Sequence, residues 1–216
     1  MSPRTREQNE EIRNQRKQEI LQAAIRVYVD QGYAASDMGQ IADQAGLAHG
    51  LVYYYFKNKK ALFRELYHFM MEQSKSHTET HFRQEGSVFD LFRSYARSIC
   101  ERVLDNPAIS RFYIRIGLDL HHLYAPEQYS PFEWVKQFMQ QITQAIEKGI
   151  AQGTIPQGDP HLMAMQFWGS VSQGMNYLDQ LQQELAAQQT EEAEVRRQLN
   201  KALDQVVESS LSLFRI

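Results

Sequence analysis

The densest set of chemistry-bearing side chains lies at residues 48–60, Ala48-His49-Gly50-Leu51-Val52-Tyr53-Tyr54-Tyr55-Phe56-Lys57-Asn58-Lys59-Lys60. Tyrosine hydroxyls and lysine ammonium groups packed this closely suit phosphate oxygens. Such contacts fix a protein's register on a nucleic-acid backbone without reading its sequence. His49 and Leu51, earlier in the stretch, carry side chains able to reach base edges. The small residues around them let a helix approach a groove.

Other sets carry weaker chemistry. His77-Thr78-Glu79-Thr80-His81 has the i, i+4 spacing of helical metal ligands, but Glu79 stands where a zinc hydrolase does not use it. The pair therefore reads as exposed helix-end histidines, with no metal site expected. His121 and His122, near Asp119 and Tyr124, suit a hydrogen bond to a small molecule or the negative end of a helix. Cys100 is the chain's one cysteine, which excludes an internal disulfide and a multi-cysteine metal site. Its neighbours Ile99, Val103 and Leu104 predict a buried thiol. No glycine-rich phosphate loop and no nucleophile elbow occurs, so neither a cofactor nor an enzymatic activity is expected.

The elements that must position residues 48–60 can be read outward from them. Asp37 can cap a helix whose apolar residues Met38, Ile41, Ala42 and Ala45 recur at helical spacing, and Gly46 can end it in the left-handed conformation. Leu47 plugs the turn. A second helix runs over 48–56, with Val52 and Phe56 on its buried side and His49, Gly50, Leu51 and Tyr54 facing outward. Ahead of the pair, Ile20, Leu21, Ala24, Ile25, Val27 and Tyr28 mark a supporting helix over 17–31 that Gly32 stops. The polar residues before it read as a frayed extension.

Ile41-Ala42, Ala45-Gly46, Gly50, Tyr53, Phe56, Lys59 and Ala61-Leu62 resemble the amino-terminal signature of the TetR family of ligand-responsive transcriptional regulators, over residues 16–66. The resemblance implies a helix-turn-helix DNA-binding domain over 1–62 and a helical effector-binding and dimerisation domain over 63–216. DNA contacts are expected from Asp37, His49, Gly50, Leu51, Tyr53, Tyr54 and Lys59, with Tyr54 and Lys59 on phosphates. Two positions depart from the pattern: Gly39 replaces a frequent polar or charged residue, and Ala48 a small hydroxyl residue. Gly39 predicts a soft first reader helix, and Ala48 lacks the hydroxyl for a cap or phosphate bond.

Composition agrees with an all-α protein of about nine helices. The 216 residues are 43% hydrophobic and 23% charged, and no stretch alternates convincingly between apolar and polar. No apolar run reaches the roughly 18 residues of a membrane span, and the polar start is unlike a signal peptide, so a cytoplasmic location is expected. Residues 1–76 hold 11 Lys+Arg against 9 Asp+Glu, a balance of +2, within a net charge of −3. The remainder, at −5, forms an acidic body behind a mildly basic head.

Beyond the motif, helical stretches follow one another, punctuated by Gly86, Asn106-Pro107, Pro126 to Pro131, Gly153 and Asp159-Pro160. Their aromatics suit an apolar cavity with a few polar tips, and Tyr95, Phe112, Tyr113, Ile116, His121, Trp134, Phe138 and Trp168 are the candidate effector contacts. Tyr113, Arg115 or His121 would supply the orienting polar contact. In the last two helices Ser170, Gly174, Leu178, Leu203, Val207 and Leu211 form the candidate dimer face, with an internal core face as the alternative. Together with these features, the resemblance implies a homodimeric repressor released from a palindromic operator by a small apolar or amphipathic effector. The competing readings are a helical enzyme that keeps a DNA-reader fold and a DNA-binding interaction protein without an effector.

Overall fold

The computed structural model describes residues 5–128 and 131–215. Among them are nine α-helices: α1 (Arg6–Ala35), α2 (Met38–Ala45), α3 (His49–Tyr55), α4 (Lys59–Phe82), α5 (Val88–Asp105), α6 (Pro107–Leu123), α7 (Pro131–Ala151), α8 (Pro160–Ala187) and α9 (Glu192–Ser210). Two 3-10 turns, Pro126–Gln128 and Ser212–Phe214, complete the elements, and no strand occurs among the described residues.

The chain forms two compact units. One is Met1–Met71 with Arg111–Tyr129, the other Glu72–Ser110 with Ser130–Ile216. This differs from a single cut near residue 62. Helix α4 continues past the head before passing to the second unit, and most of α6 returns to the first.

In the first unit, α1 starts earlier than its apolar pattern. Thr5 and Gln8 form a capping box that extends the helix through the polar residues. Near its other end Gly32 (φ 78°, ψ 177°) breaks the helical path. The Arg115 guanidinium of α6 occupies the space beside Gly32, 2.7 Å from where a Cβ would stand, and donates to the Val29 carbonyl at 2.9 Å. Tyr28 is fully buried between Phe63 and Phe112, each ring centroid 5.5 Å away, and its hydroxyl donates to Asp119 at 2.8 Å. Burial and the Asp119 carboxylate both push the Tyr28 phenol above its ordinary range. Ile20, Leu21, Ile41, Val52, Phe56, Leu62 and Leu66 close this core.

The second unit is built around Phe92, Tyr95, Phe138, Ile142, Phe167, Val171, Leu178, Leu203 and Phe214. In it α8 packs tightly on α9: a Cβ at Gly174 would lie 2.1 Å from Val206 Cγ1. The expected dimer face must therefore be corrected. Gly174, Leu178, Leu203, Val207 and Leu211 are all buried within one protomer, where no partner chain can reach them, and Ser170 is half-buried. The apolar spacing marked a buried face, and the partner it meets is α9 of the same chain.

Candidate nucleic-acid interface

The geometry of α2 and α3 follows from local chemistry. Asp37 Oδ1 accepts the Gln40 amide at 2.9 Å while Gln40 Oε1 accepts the Asp37 amide at 3.1 Å, so the start of α2 is capped reciprocally. Gly46, at φ 65° and ψ 32°, ends α2. The Leu47 amide then closes the turn on Ala42 O at 3.0 Å. Ala48 caps α3 without a side-chain bond, the consequence expected of its missing hydroxyl. Val52 and Phe56 are buried, and His49, Gly50, Tyr53 and Tyr54 are exposed, Tyr54 at 73%. Leu51 and Tyr55 are half-buried, and Lys57 and Lys60 are exposed.

Lys59 has a different task from the expected phosphate contact. Its ammonium lies 2.8, 3.2 and 2.9 Å from the carbonyl oxygens of Tyr33, Ala34 and Ser36, and 4.5 Å from the centre of the Tyr33 ring. An ammonium has three protons, and here each has a carbonyl. Lys59 therefore ties the first residue of α4 to the end of α1 and the turn into α2. Asp37 likewise spends its carboxylate on the α2 cap. Gly39, the other departure from the family pattern, sits beneath the His49 ring.

Residues 20–66 match the family model of the tetR family of bacterial regulatory proteins. Over this segment the chain is similar to the DNA-binding domain of TetR-family regulators. A transcriptional regulator of Shigella flexneri, AcrR, is 36% identical over 67 residues, covering 31% of this chain and 29% of that protein. The fatty acid metabolism regulator protein of Bacillus subtilis is 34% identical over 70 residues, covering 32% and 36%. The chain thus spans about a third of the length of these curated relatives. Among solved structures, the FadR regulator of Bacillus subtilis in complex with stearoyl-CoA superposes with a TM-score of 0.67 at 20% identity, covering 92% of this chain and 99% of that one. A fatty acid degradation regulator of Bacillus halodurans gives 0.69 at 16% identity, covering 93% and 96%. At these identities the likeness concerns the fold alone.

The candidate effector residues divide between the two units. Phe112, Tyr113, Ile116 and His121 belong to the first, where Phe112 and Ile116 are buried. The Tyr113 hydroxyl donates to Met70 O at 2.7 Å, and His121 Nδ1 lies 2.8 Å from Leu118 O of its own helix. Tyr95, Phe138 and Trp168 belong to the second. There Phe138 and Trp168 meet edge to face at 4.6 Å, and the buried Tyr95 hydroxyl lies 2.7 Å from Thr78 Oγ1. The Trp134 side chain lies outside the described residues.

The His77 and His81 pair is not the exposed one expected. His81 is buried, with Nε2 donating to Leu91 O at 2.9 Å, and the His77 ring stacks on Tyr95. Burial, then Arg102 and His81, hold the His77 imidazole below its ordinary range. Among the described residues no group of His, Cys, Asp and Glu is arranged to hold a metal ion, and no helix is long and apolar enough to cross a membrane.

Proposed function

We propose that this chain is a DNA-binding transcriptional regulator of the TetR family, a cytoplasmic homodimeric repressor released from a near-palindromic operator by an amphipathic small molecule. The observation that carries the reading is Gly50 on the outer face of α3. A Cβ there would meet nothing within 4 Å, so the protomer's own packing requires no glycine, and α3 gives up helix propensity to keep one. Close approach by a partner's backbone is a use for that position. The major groove suits the side chains around it: Tyr53 and Tyr54 with Lys57 and Lys60 for phosphates, His49 and Leu51 for base edges. Asp37 and Lys59 act beneath them by fixing the ends of α2 and α1.

Two copies would present two α3 helices to half-sites about 34 Å apart. The partner face we propose is the exposed stripe of α8 formed by Leu162, Met165, Gly169 and Tyr177, three of which are large apolar residues about half exposed. For the effector we propose an acyl-chain amphiphile held in the second unit. Its aromatic and methionine-containing core favours an apolar ligand, and a Bacillus subtilis regulator of the same fold is in complex with stearoyl-CoA. Release requires that the amphiphile favour the DNA-incompetent arrangement over the competent one.

The test is selection of an operator from random duplexes by the full chain, followed by fluorescence anisotropy with and without stearoyl-CoA. Enrichment of a palindrome, with a Kd raised at least about tenfold by the thioester, is expected. Failure to enrich any duplex refutes the DNA-reader reading; an enriched operator indifferent to acyl-CoA of any chain length refutes the effector class. Sedimentation of Tyr177→Arg as an intact dimer refutes the α8 face.

A further inference from the structure

His49 is the first residue of α3, and its ring reaches back over α2. Nε2 lies 2.9 Å from Asp43 Oδ1, with both side chains largely exposed, at 59% and 74%. The ring passes above Gly39, where a Cβ would stand 3.2 Å from His49 Cε1 and 3.6 Å from Nδ1. Gly39 and Asp43 are four residues apart and so share one face of α2. The glycine leaves the floor flat, and the carboxylate holds the far edge of the ring. A methyl at position 39 would also crowd Asp37 Oδ1, 3.0 Å away, which caps α2. Gly39, which predicts a soft reader helix, and Asp43 thus serve one side chain.

We propose that His49 recognises an exocyclic amino group of a base in the major groove, adenine N6 or cytosine N4, through Nδ1, with Asp43 as the positioning residue that sets this preference. The proposal rests on the reading of α3 as the major-groove helix. An ionised carboxylate only accepts, so in the neutral ring it fixes the proton on Nε2 and leaves Nδ1 as an acceptor. Nδ1 has no hydrogen-bond partner among the described residues. In the major groove adenine and cytosine offer amino donors, whereas guanine offers N7 and O6 and thymine O4, all acceptors. An acceptor nitrogen therefore binds the first pair and is repelled by the second. Asp43 also holds the ring before DNA arrives, which lowers the ordering cost of the contact.

The experiment uses the full chain and its selected operator at pH 8.5. Each adenine of a half-site is replaced in turn by purine riboside, which lacks the N6 amino group, and each cytosine by 2-pyrimidinone, which lacks N4. Affinities are measured for the wild type, His49→Ala and Asp43→Asn. At one position per half-site, removal of the amino group should weaken wild-type binding roughly 5- to 10-fold, the scale of one hydrogen bond. His49→Ala should bind the complete and the deaminated duplex alike. Asp43→Asn, whose amide can accept or donate and so allows both tautomers, should keep the fold by circular dichroism and reduce the ratio to less than about 3-fold. A wild-type ratio retained in His49→Ala overturns His49 as the reader. The same ratio retained in Asp43→Asn overturns the positioning role. If the wild type enriches no duplex, the major-groove reading itself fails, an outcome distinct from both.

Discussion

Lys59→Met tests the assignment of Lys59 because a cap and a phosphate contact leave different signatures. The substitution keeps the aliphatic stem and removes the ammonium that serves the carbonyls of Tyr33, Ala34 and Ser36. The three bonds share one charge, so their energies do not simply add. A hydrogen-bonded charge is worth about 1.5–3 kcal/mol, and its interaction with the end of a helix about 0.3–1 kcal/mol more. Lys59 is half-buried, which trims the sum to about 2–3 kcal/mol. For a chain of this size that destabilisation lowers the melting temperature by roughly 5–10 °C. Thermal unfolding followed by circular dichroism measures the drop. Operator affinity measured from low to moderate salt should give the same slope of log affinity against log salt as the wild type. Removing one phosphate-bound cation would flatten that slope by about 0.9. An unchanged melting temperature with a slope flatter by about that amount would refute the capping role and restore Lys59 to the DNA backbone.

Three further outcomes are expected from glycine and histidine substitutions, and a fourth from thiol labelling. Gly50→Ala should stabilise the free head by up to about 1 kcal/mol in denaturant titration yet weaken operator binding; unchanged affinity removes the close-approach argument. Gly174→Ala should destabilise the chain by about 1–3 kcal/mol through the clash with Val206, whereas Gly169→Ala, with nothing within 4 Å, should not; equal denaturation midpoints for the two variants would contradict the α8–α9 packing. The folded state favours neutral His77, so its contribution to stability is present above the ordinary imidazole value of 6.5 and is lost as pH falls below it, and His77→Gln should lose less than the wild type between pH 7 and 5. Burial pushes the Cys100 thiol up to about 12, so it should resist thiol reagents at pH 8 until the chain unfolds, and its contribution to stability should be lost as pH rises above 9.0; rapid labelling of the native protein would overturn the buried placement.

What the sequence disclosed was mostly local. Asp37, Gly46 and Asp159 act as caps or stops where residue type and position predict, because capping is settled within a few residues. The Thr5 and Gln8 capping box is equally local, a Thr-x-x-Gln signature set among charged and polar residues that carry no apolar pattern. Contacts made across the fold were not legible. The acceptors of Lys59 are 23 to 26 residues away, and the Arg115 contact with Val29 spans 86. At Gly174 the periodicity identified a face that must be covered but not which helix covers it. His49 fell between these cases: its exposure followed from its place on α3, but the Asp43 contact six residues earlier crosses a turn whose geometry only the folded chain sets.

The return of α6 to the first unit bears on modularity. The reader motif is continuous in sequence, yet the unit that contains it is assembled from two segments separated by 39 residues of the other unit. A fragment ending at Met71 would lack the Asp119 acceptor for the buried Tyr28 hydroxyl, the Phe112 ring beside it and the guanidinium at the Gly32 break. Cutting this chain at the end of the signature would separate a recognition surface from part of its foundation. A functional graft from this chain must carry residues 111–129 along with the motif, which makes the minimal inheritable unit of DNA recognition a discontinuous one.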